Sequence, residues 1–189
     1  MKLVLAGSVC LALSLSLGCS DPPAAPAQGA ASIWFQPRSG VGGSCLPSAA
    51  IVTVPASADQ YISCNPESGS CTPTKKVAVD GDGAEVTCTV RKSGDSYILG
   101  GSLVDDDVGF NFSFQTAAAV PETGGTITVS GSKKFGETTL TDSGCTLTIH
   151  ALGKGSIWGS YTCPNMGEEQ APQPICLASG SFAFENCDT

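Results

Sequence analysis

The sequence predicts an all-β fold: an antiparallel β-sandwich, with a barrel as the alternative layout, stapled by disulfides and preceded by an N-terminal signal segment. Three observations carry this. Apolar and polar residues alternate with period two along several runs, as in Phe110-Asn111-Phe112-Ser113-Phe114-Gln115. Glycine, serine and aspartate clusters separate those runs at short, fairly regular spacing, the punctuation of hairpins in sandwiches and barrels. Beyond residue 18, no segment carries a 3.6-residue apolar stripe.

In chain order, folded structure is expected to begin near Ser32, where Ile33, Trp34 and Phe35 stand together. Val77 and Val79 mark one strand; Val86, Cys88 and Val90 share a face of the next. Tyr97–Val104, Phe110–Gln115 and Thr126–Ser130 follow, the last two alternating perfectly. Cys145, Leu147, Ile149 and Ala151 would share one face of the run after that, with Thr146, Thr148 and His150 on the wet one. Ser156–Cys163 and Ile175–Phe184 complete the set. Gly81-Asp82-Gly83, Ser93-Gly94-Asp95, Gly124-Gly125 and Gly153-Lys154-Gly155 supply the turns.

The first twenty residues have a different character. Lys2 precedes an apolar run from Leu3 to Leu17, which ends on Gly18-Cys19-Ser20. A charged start, a short apolar core and a small residue at the cut are the anatomy of an export signal. The run is about 15 residues, short of the roughly 20 that a spanning helix needs. Its Gly18-Cys19 ending resembles the lipobox of bacterial lipoproteins. That resemblance implies cleavage after Gly18, acylation of Cys19 and a membrane partner held through covalent lipid. Two positions depart from the pattern: Ser16 stands three places before the cysteine, where leucine is usual, with Leu15 one step early, and Leu17 stands where a small residue is usual. Ser20 is not the aspartate that retains lipoproteins at the inner membrane in many bacteria, which favours the outer membrane.

Three regions follow: a signal at 1–18, a tether at 19–31 and a single domain at 32–189. The tether has three prolines and no large apolar residue from Ser20 to Ala31. Fully extended, at about 3.1 Å per residue, it would hold the domain roughly 35 Å from the bilayer.

The chain has ten cysteines; Cys10 leaves with the signal and Cys19 carries lipid. The remaining even set, in an exported chain, reads as four disulfides. Zinc is disfavoured, since no C-x₂-C pair occurs and His150 is the only histidine. Loop lengths suggest Cys64–Cys71, Cys163–Cys176, Cys145–Cys187 and, by remainder, Cys45–Cys88, although eight cysteines allow 105 pairings. The strand from Gly155 to Cys163, answered by Cys176 to Cys187, resembles small cysteine-bearing β lipoproteins of bacteria. More distantly it is similar to the sandwich-type antigen lipoproteins of mycobacteria. No activity transfers from either likeness.

Formal net charge is −8, from 9 basic and 17 acidic residues, and loss of Lys2 makes the mature chain more acidic still. Such a balance argues against nucleic acid, whose phosphates demand clustered cations. It also argues against attraction to anionic headgroups, leaving covalent attachment as the route to the membrane.

Candidate chemistry is sparse. Asp80, Asp82 and Glu85 surround two glycines and offer hard oxygen ligands for Ca²⁺, but two or three carboxylates seldom make a site, and Asp-Gly is also a preferred hairpin pair. No cofactor is otherwise indicated. Asp105-Asp106-Asp107 reads as a solvated turn that discourages edge pairing. A hydrolase would need His150 beside a carboxylate and a hydroxyl, and no Gly-x-Ser-x-Gly elbow is present; the chain does not read as an enzyme. Trp158 is the candidate ligand-binding residue, either filling the core or turned outward to stack on a sugar or a protein partner. The reading is an envelope lipoprotein acting as a binding or surface-structural module, with an envelope protein or glycan as partner. The alternative is a glycan- or lipid-binding protein, for which a deep pocket among Phe110, Phe112, Phe114, Phe182 and Phe184 would count, and which a filled core would oppose.

Overall fold

The computed structural model describes residues 24–37, 51–54, 78–105, 108–116, 122–131, 138–168 and 176–189. They form ten strands: β1 (Gln28–Pro37), β2 (Ile51–Val54), β3 (Ala78–Val79), β4 (Ala84–Ser93), β5 (Ser96–Asp105), β6 (Val108–Thr116), β7 (Glu122–Gly131), β8 (Thr138–Gly153), β9 (Ser156–Glu168) and β10 (Cys176–Glu185). The all-β antiparallel class is as expected. The strands belong to one sheet, ordered β2-β1-β10-β9-β8-β7-β6-β5-β4 with β3 beside β1, and it curls into a half-barrel. Of the two layouts weighed, this curl lies on the barrel side.

The curl makes one sheet behave as two layers. Phe110 and Phe112 on β6 meet Phe182 and Phe184 on β10, although three strands separate β6 from β10 in the sheet. The Phe112 and Phe182 rings stack at 4.4 Å, and Phe112–Phe184 and Phe110–Phe182 lie at 5.2 and 5.9 Å. Inward residues of every limb, among them Ile33, Leu99, Leu103, Ile127, Leu147 and Ile157, close around these rings and are fully buried. Alternation written for a two-sheet core is therefore satisfied by the facing limbs of one.

Glycines make room for the rings. Five inward aromatics each sit directly opposite a glycine on the next strand: Phe112 with Gly101, Phe114 with Gly125, Phe182 with Gly159, Phe184 with Gly29 and Tyr161 with Gly180. A β-carbon at Gly101 or Gly125 would run into the facing ring, and one at Gly29 would lie 2.7 Å from Phe184. A flat ring laid over bare backbone lets the sheet bend sharply without a void, which is how aromatic rescue of glycine works.

The free edges meet at one end. Gln28 and Gly29 pair with Val79 and Ala78, and the Asp80 amide donates to the Ala27 carbonyl at 2.9 Å. After β10, Asn186 takes a left-handed conformation (φ 57°) that a short amide side chain tolerates. It turns the chain onto β4, where Val90 N–H donates to Asp188 O at 2.8 Å and Asp188 N–H to Cys88 O at 2.9 Å. The Cys88–Cys187 disulfide locks this seam.

Three sequence expectations need correction. The fold starts at Gln28, not Ser32: Gly29 lies under the Phe184 ring, and Ala30 and Ala31 are fully buried. Small residues there suit close packing, and the same smallness made them look like tether. Ile51–Val54 is a strand that sequence reading passed over, although Val52 and Val54 are buried at alternate positions. In β8, the register shifts between Ile149 and Ala151, so that Ala151 pairs with Trp158 instead of sharing the inward face of Leu147. His150 occupies the resulting bulge.

Candidate functional site

The cysteines pair by register, not by loop length. Cys145 on β8 and Cys163 on β9 are inward cross-strand neighbours with Cα atoms 4.2 Å apart, and they are bonded. Cys88 and Cys187 are joined across the seam, with Cα atoms 4.7 Å apart. The expected Cys163–Cys176, Cys145–Cys187 and Cys45–Cys88 bridges are thereby replaced, and Cys176 is itself in a disulfide. Once β8 and β9 form a hairpin, Cys145 meets Cys163 before any excursion between Pro164 and Ile175 matters. Cys19, Cys45, Cys64 and Cys71 lie outside the described residues, as do Asp106 and Asp107.

The acidic turn behaves as a turn. Gly81 and Gly83 have φ of 81° and 78°, and Asp80 Oδ1 accepts a hydrogen bond from Val86 N–H at 3.1 Å. Asp82 and Glu85 do not join Asp80 in a converging ligand set. Among the described residues only Asp142, Cys145 and Cys163 bring three ligand-type atoms together, and both sulfurs there are in the disulfide. Asp142 has a structural task instead. It is buried, and its two carboxylate oxygens accept from Gly144 N–H and Asn165 N–H, both at 2.7 Å. These charge-assisted bonds pin the irregular stretch where β8 shifts against β7, beside the Cys145–Cys163 bridge. Sequence reading did not single out Asp142; its place three residues before a cysteine, in a Thr-Asp-Ser-Gly turn, was the available signal.

Trp158 is not in the interior. It lies half-buried on the convex face, covering the fully buried Ala30 and Ala183, with its ring 4.4 Å from that of His150. Its indole N–H is buried without a hydrogen-bond partner among the described residues. His150 is exposed, as expected, and its Nε2 lies 2.8 Å from Ser160 Oγ. Of the three groups a hydrolase would need, the hydroxyl is adjacent, and no carboxylate contacts the ring among the described residues.

The register extends this face. Ser32, Ser181, Ser160 and Thr148 form one row across β1, β10, β9 and β8, and Trp34, Ser179, Thr162 and Thr146 form the next. Trp34, 44 % exposed, is one of two large apolar residues exposed among those described, Val104 being the other. Inside, by contrast, the five phenylalanines proposed as a pocket are buried against one another, so they are packed core and not a cleft.

Tyr161 is the other buried polar group of note. Its hydroxyl crosses β10 over Gly180 and donates to the Ser32 carbonyl on β1 at 3.1 Å. Burial raises its pKa well above the ordinary phenol value, so the group stays a neutral donor. The Ser181 amide in turn donates to Ser32 Oγ at 3.2 Å. No protein-family profile, no curated protein and no solved structure matches this chain.

Proposed function

We propose that this chain is a bacterial cell-envelope lipoprotein, anchored through acylated Cys19, whose disulfide-closed β half-barrel is a binding or surface-structural module. The observation that supports this best is the joint pattern of leader and cysteines. An apolar leader ending on Gly18-Cys19 stands before a fold in which every described cysteine (Cys88, Cys145, Cys163, Cys176 and Cys187) is in a disulfide, as expected of a chain exported to an oxidising compartment. The outer membrane is the proposed location, on the identity of Ser20.

The test is the intact mass of the protein extracted in detergent from its native membrane, before and after reduction. The expected species is residues 19–189 plus acyl chains, gaining about eight protons as four bridges open. A lipid-free species that starts beyond Cys19 would overturn the anchored reading.

The filled core removes the cleft form of the alternative reading, and only glycan binding on the convex face is favoured, by Trp34 and the hydroxyl rows beside it. Exposed indoles stack on sugar rings, and neighbouring hydroxyls bond their substituents. If it holds, Trp34→Ala lowers retention on a neutral polysaccharide column at least tenfold while leaving the melting temperature unchanged. Equal retention of the two proteins would remove this reading.

A further inference from the structure

The net acidity of the chain hides a local reversal. All three lysine and arginine residues among those described, Arg91, Lys92 and Lys154, line a single groove of about 570 Å³ at one end of the half-barrel. Arg91 and Lys92 come from the end of β4, and Lys154 from the β8–β9 turn. All three are exposed, and among the described residues none of their side chains has an ion-pair or hydrogen-bond partner. Glu185, at the same end, lines the adjoining groove and accepts a hydrogen bond from Gln28 Nε2 at 2.7 Å. Val90, Leu152 and the Tyr97 ring supply its apolar part, and Gly153 and Thr189 complete the lining.

This end is also where the N-terminal segment joins the domain. Ala24 and Ala25 line an adjoining groove that shares Lys154 and Thr189 with the first. Asn186 Nδ2 donates to the Pro26 carbonyl at 2.9 Å, which fastens the segment there. Because residues 24–31 are docked or in strand, the tether is far shorter than the sequence suggested. Only four residues separate Cys19 from Ala24, and the five steps between the two span at most about 18 Å. Ala24, where the segment meets the cationic end, is thus held within about two Debye lengths of the anchor at physiological ionic strength.

We propose that the Arg91–Lys92–Lys154 groove binds phosphate groups, and that its ligand is the phosphate of anionic lipid headgroups in the membrane that carries the anchor. Docking there would orient the half-barrel with its tether end on the bilayer. The orienting role rests on the anchored reading; phosphate binding does not. Exposed guanidinium and ammonium groups, without side-chain partners among the described residues and beside a partly apolar wall, match a headgroup, which presents phosphate next to glycerol and acyl carbon.

The test uses the mature chain, oxidised, with Cys19→Ser, so that no acyl group contributes. Co-sedimentation is measured with vesicles of 30 % phosphatidylglycerol in phosphatidylcholine and with pure phosphatidylcholine, at low and at physiological salt. The expected result is binding to the anionic vesicles only, weakened by salt. Neutralising the cations in Arg91→Gln/Lys92→Gln/Lys154→Gln should reduce it by about 100-fold, at about fivefold per cation. Unchanged melting and bridge count establish that the variant is folded. Titration with inorganic phosphate, followed by NMR at the arginine and lysine side chains, separates the two sources of phosphate. Shifts with free phosphate but no vesicle binding would overturn the lipid ligand in favour of a soluble one. Equal binding to both vesicle types, no binding to vesicles or phosphate, or an unaffected triple variant would overturn the site. None of these outcomes depends on whether Cys19 is acylated, which the intact mass decides.

Discussion

Gly180→Ala is expected to be among the most damaging single-methyl changes in this protein. The added β-carbon would fall on the Ser32 carbonyl oxygen of β1 and lie 2.7 Å from the Tyr161 hydroxyl. Both atoms are fixed, since Tyr161 O–H donates to that same carbonyl from two strands away. The methyl must therefore push β1 off β10 or break the Tyr161 bond, and each route leaves a buried polar group unsatisfied. Overpacking costs about 1–3 kcal/mol and an orphaned buried donor or acceptor about as much again. A loss of about 3–5 kcal/mol follows, on the order of 10 °C or more in melting temperature for a chain of this size. Tyr161→Phe removes the hydroxyl without adding bulk and should lose only about 1–2 kcal/mol. Thermal melting of the two variants checks the order. A Gly180→Ala protein that melts within about 2 °C of the parent would show that the three-strand contact does not hold the fold together.

The second large effect is expected at the seam. Cys88 and Cys187 are 99 residues apart in sequence, against 18 for Cys145 and Cys163. On the chain-entropy model a bridge closing a loop of about 100 residues contributes about 4–5 kcal/mol, and one closing a loop nearer 15 about 3 kcal/mol. Removing Cys88–Cys187 by a double alanine substitution should therefore destabilise more than removing Cys145–Cys163. It should also act locally: the Val90 and Asp188 amides, which bond across the seam, should lose hydrogen-exchange protection before those of the β8–β9 hairpin. The reverse order of melting temperatures, or protection lost uniformly, would mean that the seam is held by its backbone pairing and not by the bridge.

Much of the fold was legible because alternation is a local property. Phe110, Phe112 and Phe114 announce an inward face wherever the strand lies, and Asp-Gly and Lys-Gly turns announce reversals. The failures share one cause: contacts between residues distant in sequence. Gly29, Ala30 and Ala31 resemble linker until the Phe184 ring and the Trp158 indole are laid over them. The β8 bulge, which sends Ala151 outward, is invisible in a run that alternates perfectly from Cys145 to Ala151. Loop length misled the disulfide pairing, because cysteines facing each other in a sheet are matched by register. Trp158 could not be placed from its strand alone, since either face of a curled sheet offers apolar neighbours. The candidate site was still less legible. Arg91-Lys92 and Lys154 are 62 residues apart in the chain, and a summed charge of −8 gives no hint that they meet.

By itself, then, the sequence determined that this chain is built of antiparallel strands, and it supplied the cysteines that bridge them. Periodicity and turn chemistry act over a few residues and need no partner to be read. Tertiary structure alone decided that one sheet curls back on itself, that Cys88 finds Cys187, and that the N-terminal segment is docked up to residue 24. It also gathered the three described cations of an acidic chain at the end where that segment enters. Each of these depends on which strands become neighbours. That choice is made by the burial of six aromatic rings against bare glycine backbone and against one another, an energy that exists only once the limbs of the sheet face each other.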